Sequence, residues 1–241
     1  MQIIRGFCNL PIIKHPVATV GSYDGVHLGH RVLVEQVVSR AKAREGKSVV
    51  ITFEPHPRIT LGQDLGLKLL TTLEEKALLL ERLGVDYLVV IPFDVEFSRL
   101  SHEEFINEYL VAKLGIEELI VGYNHHFGHN KSGDYGYLAH KSSIEVTRIE
   151  QQLVDARKVS STVIRSTIDS GNMLTATELL GHTYIIIGNS DKDGLVRVDK
   201  YKHLPPYGVY KAIVNGKDSE VRVGAEGVFC NVKSDKIVIE L

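Results

Sequence analysis

Apolar residues fall along this chain in two rhythms. The runs "VATVGS" (17–22), "SVVITF" (48–53), "DYLVVI" (86–91), "EELIVG" (117–122) and "SIEVTRI" (143–149) are short, rich in Val and Ile, and mostly lack alternation. That is the pattern of parallel strands covered on both faces. Between them the spacing changes. Val34, Val37, Val38 and Ala41 recur at i, i+3, i+4 and i+7, one buried stripe of a helix over about 29–45. Thr72 with Glu75, and Ser101 with Glu104, read as capping boxes that open two more helices. Leu78, Leu79 and Leu83 would face inward from the first of these. Strand and helix in alternation predict an α/β fold, a doubly wound parallel sheet with right-handed crossovers.

After residue 160 the rhythm shifts to two short helices, "STVIRSTIDSG" and "NMLTATELLG". Beyond Tyr184 it shifts again, to alternation. "YGVYKAIVNGKDSEVRV" holds two alternating runs about Asn215-Gly216, a dipeptide suited to a type I′ hairpin, and "KIVIEL" reads as a further strand. The expected division is an α/β domain over 1–184 and a small antiparallel β module over 185–241.

Composition excludes more than it selects. A chain of 241 residues that is 44% hydrophobic can bury a full core. A formal charge of −2 gives no global attraction to nucleic acid or an anionic membrane, and neither is expected as a partner. Cys8 and Cys230 stand far apart, which predicts no disulfide framework and a cytoplasmic location. "MQIIRGFCNLP" has too short an apolar stretch for a signal peptide, and no run approaches a membrane span. Nothing in the chain sets the oligomeric state.

In open α/β sheets ligands bind beyond the carboxyl ends of strands. Three unusual segments fall at such ends: "GSYDGVHLGH" (21–30), "EPHPR" (54–58) and "GYNHHFGHNKSGD" (122–134). In the first, Gly21, Gly25 and Gly29 remove side chains where a ligand would meet backbone. His27 and His30 bracket a helix start, where free amides and the dipole favour an anion. Two imidazoles there can donate to phosphate oxygens, more strongly as charge builds in a transition state. No metal ligand is assigned, because "NHHFGH" carries three imidazoles with no cysteine and no H-E-x-x-H spacing. There is no G-x-G-x-x-G, and "GKS" (46–48) lacks the upstream glycine of a P-loop. In "EPHPR", Pro55 and Pro57 stiffen a loop carrying His56 and Arg58, and Arg58 could grip a phosphate bidentately. A rigid surface turn explains that pair as well. Arg165, beside Ser161 and Thr162 near a helix start, conflicts with the dipole, and an anionic ligand would relieve the conflict. An intramolecular salt bridge is the second choice for it.

These stretches, together with "LLTTLEEK", "FSRLSHEEF", "VSSTVIR" and "GNMLTATELLGHTY", resemble prokaryotic FAD synthetases in content and order over about residues 15–184. H-x-G-H after a first strand marks the wider nucleotidyltransferase superfamily. The resemblance implies an FMN adenylyltransferase, which joins ATP and FMN into FAD and pyrophosphate with Mg2+. It implies that His27 and His30 stabilise the ATP phosphates, and that Gly21, Tyr23, Asp24, Gly25 and Gly29 shape the ATP pocket. Ser161, Thr162 and Arg165 would grip the triphosphate. Asn124, Phe127 and Gly128 match a segment implicated in flavin contacts, and His56 and Arg58 join them as FMN candidates. His125 and His126 stand where the family usually has an aromatic and a basic or polar residue. Family members also carry a longer riboflavin kinase module with a G-x-P-T-A-N motif. No such motif occurs here, and "LPPYGVY" (204–210) resembles a fragment of that barrel, so kinase activity is expected to be absent.

Elementary chemistry agrees with the implied reaction. A phosphate monoester with a second pKa near 6 is largely a dianion at neutral pH. As a nucleophile it needs no general base, so catalysis reduces to positioning and charge neutralisation. An alcohol nucleophile would call for a base, and no carboxylate pair stands out. The alternatives are another H-x-G-H nucleotidyltransferase, or a non-catalytic flavin- or nucleotide-binding paralogue.

Overall fold

The computed structural model describes residues 1–8, 10–63, 66–123, 136, 143–150, 153–154 and 157–241. Their packing falls into two compact units. One holds Met1–Tyr23, His30–Leu67 and Leu79–Gln152, and the other Asp24–Gly29, Lys68–Leu78 and Leu153–Leu241.

In chain order the first elements are β1 (Gln2–Arg5), β2 (Pro16–Val20), α1 (Leu28–Ala43), β3 (Lys47–Glu54), α2 (Pro57–Thr60), α3 (Leu73–Arg82) and β4 (Tyr87–Pro92). Then come α4 (His102–Glu104), continued by a wider π-helical stretch over Phe105–Lys113, β5 (Glu118–Gly122) and β6 (Glu145–Ile149). Among the described residues, six strands form one parallel sheet in the order β1-β4-β3-β2-β5-β6. Successive residues of a strand serve opposite faces. Val17 and Ile120 pack with Val37 and Ala41 of α1. Their neighbours Ala18, Leu119 and Val121 pack with Phe105, Ile106 and Leu110 on the other face. The sheet is therefore doubly wound, which explains the unbroken apolar runs. Strand β1 escaped the sequence pattern because only Ile4 of its four residues is buried.

The second unit contains the short strand pair β7 (Leu153–Val154) and β8 (Arg157–Lys158), then α5 (Ser161–Asp169) and α6 (Met173–Leu180). Six further strands follow: β9 (Ile185–Ser190), β10 (Leu195–Arg197), β11 (Gly208–Val214), β12 (Lys217–Gly224), β13 (Gly227–Cys230) and β14 (Ile237–Glu240). They close into an antiparallel barrel, β10-β13-β12-β11-β14-β9, and closure removes exposed edges. The β11–β12 turn has φ of 49° at Asn215 and 79° at Gly216, the two left-handed residues that a type I′ turn demands. One apolar cluster joins Ile164 and Ile168 of α5, Leu179 and Leu180 of α6, and the barrel residues Ile186, Val214, Val228 and Ile239. Packing thus unites α5, α6 and the two inserted segments with the barrel.

The Thr72–Glu75 capping box forms as expected. The Thr72 amide donates to Glu75 Oε2 at 2.8 Å, and the Glu75 amide to Thr72 Oγ1 at 3.3 Å. Glu75 also has a partner far along the chain. Its Oε2 accepts from Lys202 Nζ at 2.8 Å and its Oε1 from the Ile187 amide at 2.8 Å, with both charged side chains fully buried. No helix among the described residues is long and apolar enough to cross a membrane.

Candidate active site

Strand β2 has β3 on one side and β5 on the other, so its carboxyl end lies at the switch point of the sheet. Gly21 leaves it with its amide bonded to the Ile51 carbonyl at 3.0 Å. A Cβ at Gly21 would lie 3.1 Å from the Tyr23 ring, which explains the small residue. The Tyr23 hydroxyl shares a 2.6 Å hydrogen bond with Thr19 Oγ1, and burial raises its pKa well above the ordinary phenol range. His30, in the first turn of α1, stands edge-on to that ring at 5.1 Å and 71°. A buried, hydrogen-bonded phenol therefore orients a half-buried imidazole. His56 accepts from the Arg58 amide at 3.2 Å and caps α2, while the Arg58 side chain lies exposed. Asn124, Phe127 and Gly128 lie outside the described residues.

The second unit carries the turn Asp24–Gly29. Gly25 has φ of 86°, and Val26, a β-branched residue, has φ of 41°. Such a conformation costs about 1–3 kcal/mol and persists only where its surroundings impose it. Here they do. Asp24 Oδ1 accepts from the Thr71 amide at 3.1 Å, Oδ2 from Arg165 Nη1 at 2.6 Å, and the Asp24 carbonyl from Ser161 Oγ at 2.8 Å. The Gly25 amide donates to Thr71 Oγ1 at 2.9 Å, and its carbonyl accepts from His182 Nε2 at 2.9 Å. A Cβ at Gly25 would approach Leu70 Cδ1 to 2.8 Å. The turn is fixed on every polar atom named.

His27 is 6% exposed. Burial pushes its imidazole down to about 4, and His182 nearby adds to the fall against an opposing bond to its own backbone. His27 is therefore neutral at pH 7, with a single N–H. Gly29 leaves room for this ring, since a Cβ there would lie 3.4 Å from it. Arg165 makes the salt bridge that the sequence ranks second. Asp24 is nearly buried and needs a countercharge, a fact its position in the sequence does not reveal. The same guanidinium reaches Thr162 Oγ1 at 3.5 Å. Thr71 and His182 hold the turn but were not among the expected site residues. Their signal was slight: a threonine just ahead of a capping box, and a histidine just after a helix-ending glycine.

Among the described residues no cluster of three His, Cys, Asp or Glu could hold a metal ion. The Asp24 carboxylate is already committed to Arg165 and Thr71.

The turn at Asp24–Gly29 is tied to the segment at 161–165 through Asp24, and both stretches carried part of the resemblance. A family model described as FAD synthetase matches residues 11–163. The chain belongs to the FAD synthetase family. Within it, a bifunctional riboflavin kinase/FMN adenylyltransferase of Listeria monocytogenes is 35% identical over 247 residues, covering 91% of this chain and 77% of that protein. The protein of the same name from Escherichia coli is 34% identical over 194 residues, covering 78% of this chain and 62% of its own length. Relative to the latter, this FAD synthetase family member spans less than two-thirds. A crystal structure titled as a macrolide-efflux protein from Streptococcus pneumoniae superposes with a TM-score of 0.85 over 100% of this chain and 89% of that one. At 22% identity it shows a shared fold and nothing about activity. Family membership makes this chain a nucleotidyltransferase enzyme.

Proposed function

We propose that this protein transfers the adenylyl group of ATP to FMN, giving FAD and pyrophosphate, and that it lacks riboflavin kinase activity. One observation carries the reading beyond the family name. Asp24, three residues before the H-x-G-H motif, and the S-S-T-x-I-R segment, more than 130 positions away, meet through the Ser161–Asp24 and Arg165–Asp24 bonds. An oxygen of the FMN phosphate forms a bond to the α-phosphorus of ATP. The bond from that phosphorus to the α–β bridging oxygen breaks, and pyrophosphate departs with the electron pair. No proton needs removing, because the attacking phosphate is already largely a dianion. The protein's task is positioning and charge stabilisation. In this reading His27 and His30 stabilise the ATP phosphates, His30 from the first turn of α1, and Arg165 with Ser161 and Thr162 serves the triphosphate. Gly21, Tyr23, Asp24, Gly25 and Gly29 shape the ATP pocket. His56, Arg58, Asn124, Phe127 and Gly128 are assigned to FMN. Magnesium belongs to the substrate, MgATP. Residues 1–184 carry the transfer and 185–241 form a remnant of a riboflavin kinase barrel, in a protein of the reducing cytosol with no role for nucleic acid.

Incubation of the purified protein with MgATP and FMN, followed by chromatography of the flavins, tests this directly. FAD from FMN, with no FMN from riboflavin, is the expected result. FMN formed from riboflavin overturns the kinase statement. Flavin binding without turnover indicates a non-catalytic paralogue, and adenylylation of a different phosphorylated compound indicates a sister transferase.

A further inference from the structure

The barrel lacks the kinase motif, yet one of its loops pairs with the segment that holds the turn assigned above to ATP. Lys202 is 3% exposed, and its ammonium donates to three acceptors: the Leu70 carbonyl at 2.6 Å, the Ile185 carbonyl at 2.6 Å and Glu75 Oε2 at 2.8 Å. An ammonium has three N–H donors, and here each has a partner. The ring of Tyr184 lies 4.2 Å below Nζ, and its hydroxyl donates to the His203 carbonyl at 2.6 Å. The flanking backbone is also paired, the Leu69 amide with the Tyr201 carbonyl at 2.6 Å and the His203 amide with the Leu69 carbonyl at 2.8 Å. Thr71 follows Leu70 directly, and it holds Asp24 Oδ1 through its amide and the Gly25 amide through its hydroxyl.

We propose that Lys202 is a positioning residue for adenylyl transfer: by fixing the Leu70 carbonyl and Glu75 it sets Thr71, which sets the strained Asp24–Gly25 turn against the nucleotide. The barrel then serves the transferase site, independent of any kinase chemistry. This rests on the assignment of the 21–30 segment to ATP. Lys202 touches no substrate, so its loss acts through the turn. ATP binding suffers, while FMN binding does not.

Two variants test it, each measured for KM of ATP, KM of FMN and kcat. Thr71→Val keeps shape and leaves the Lys202–Glu75 pair whole, but removes the hydroxyl that receives the Gly25 amide. Lys202→Met combined with Glu75→Gln removes both buried charges together, so no lone ion is left inside. Each is expected to raise the KM of ATP about tenfold or more, with the KM of FMN within about twofold, and with an unchanged far-UV spectrum. A folded variant of either kind with the wild-type KM for ATP overturns the proposal. Equal rises in both KM values do so too, since they report general loosening. If the double variant does not fold, Lys202→Met with Glu75→Leu, an apolar pair of similar volume, takes its place, and Thr71→Val with the wild-type KM for ATP still overturns the proposal. Wild-type protein that makes no FAD at all defeats the functional reading instead, so the two failures are distinguishable.

Discussion

The neutral state of His27 has a measurable consequence for stability. In the unfolded chain this imidazole ionises near 6.5, and in the fold it does so at about 4. Between those values the unfolded state binds more protons, so stability falls as pH falls through the window and is unaffected above it. The ring is 6% exposed, so solvent screening removes little of the effect. Linkage across that gap gives a loss of about 2 kcal/mol by pH 5 and about 3 kcal/mol by pH 4 relative to pH 7.5. His203 slopes the same way, because burial lowers its pKa although Asp169 opposes the shift. A comparison with His27→Gln, which keeps an N–H donor and cannot titrate, isolates the His27 share. Urea unfolding followed by far-UV circular dichroism at several pH values supplies both curves. The wild-type minus variant difference should change by about 2 kcal/mol between pH 7.5 and pH 5. Parallel curves, or an NMR titration of the His27 ring with a midpoint near 6.5, would refute the claim that burial keeps it neutral.

Two shorter tests probe the turn and its neighbour. Gly25→Ala meets both the left-handed φ of 86° and Leu70 Cδ1 at 2.8 Å; it should lower stability by about 1–3 kcal/mol in denaturant titrations and raise the KM of ATP. His30→Ala should lower kcat by about 10²–10³, while the FMN dissociation constant, read by flavin fluorescence quenching, changes less than about twofold. Equal losses in kcat and FMN affinity would remove His30 from charge stabilisation.

What the sequence disclosed and what it withheld divide along physical lines. Burial on both faces leaves a compositional trace, so the run at 117–122 fell close to β5 at Glu118–Gly122. Capping is local, so the Thr72–Glu75 box was legible to the atom. The Asn215-Gly216 turn was legible for the same reason. Barrel closure was not, because β10 has three residues and only Val196 is buried, too little to carry an alternation. Long-range charge pairing was also hidden. Glu75 and Lys202 are 127 positions apart, and Asp24 and Arg165 are 141 apart. In sequence Glu75 reads as a cap and Lys202 as an ordinary surface residue, and a salt bridge is only the second choice for Arg165, with no partner named; burial makes the four obligatory partners. The glycine-spaced histidines were conspicuous, but the loss of charge on His27 follows from its surroundings and left no trace in the text.

The buried Lys202–Glu75 pair invites the argument that it stabilises the fold, and the energetics point elsewhere. Removing two charges from water offsets much of their attraction, and an apolar pair of similar volume often does as well. What such a pair adds is discrimination between registers. Every donor of Lys202 and both Glu75 oxygens are engaged in one alignment of residues 68–71 with 201–203. A slip of one residue would carry the ammonium away from its carboxylate and leave each charge buried alone, at a cost of several kcal/mol. The alignment that survives is the one in which Thr71 faces Asp24 and Gly25. Register selection and the geometry of the strained turn are therefore one property, set by a lysine from the barrel.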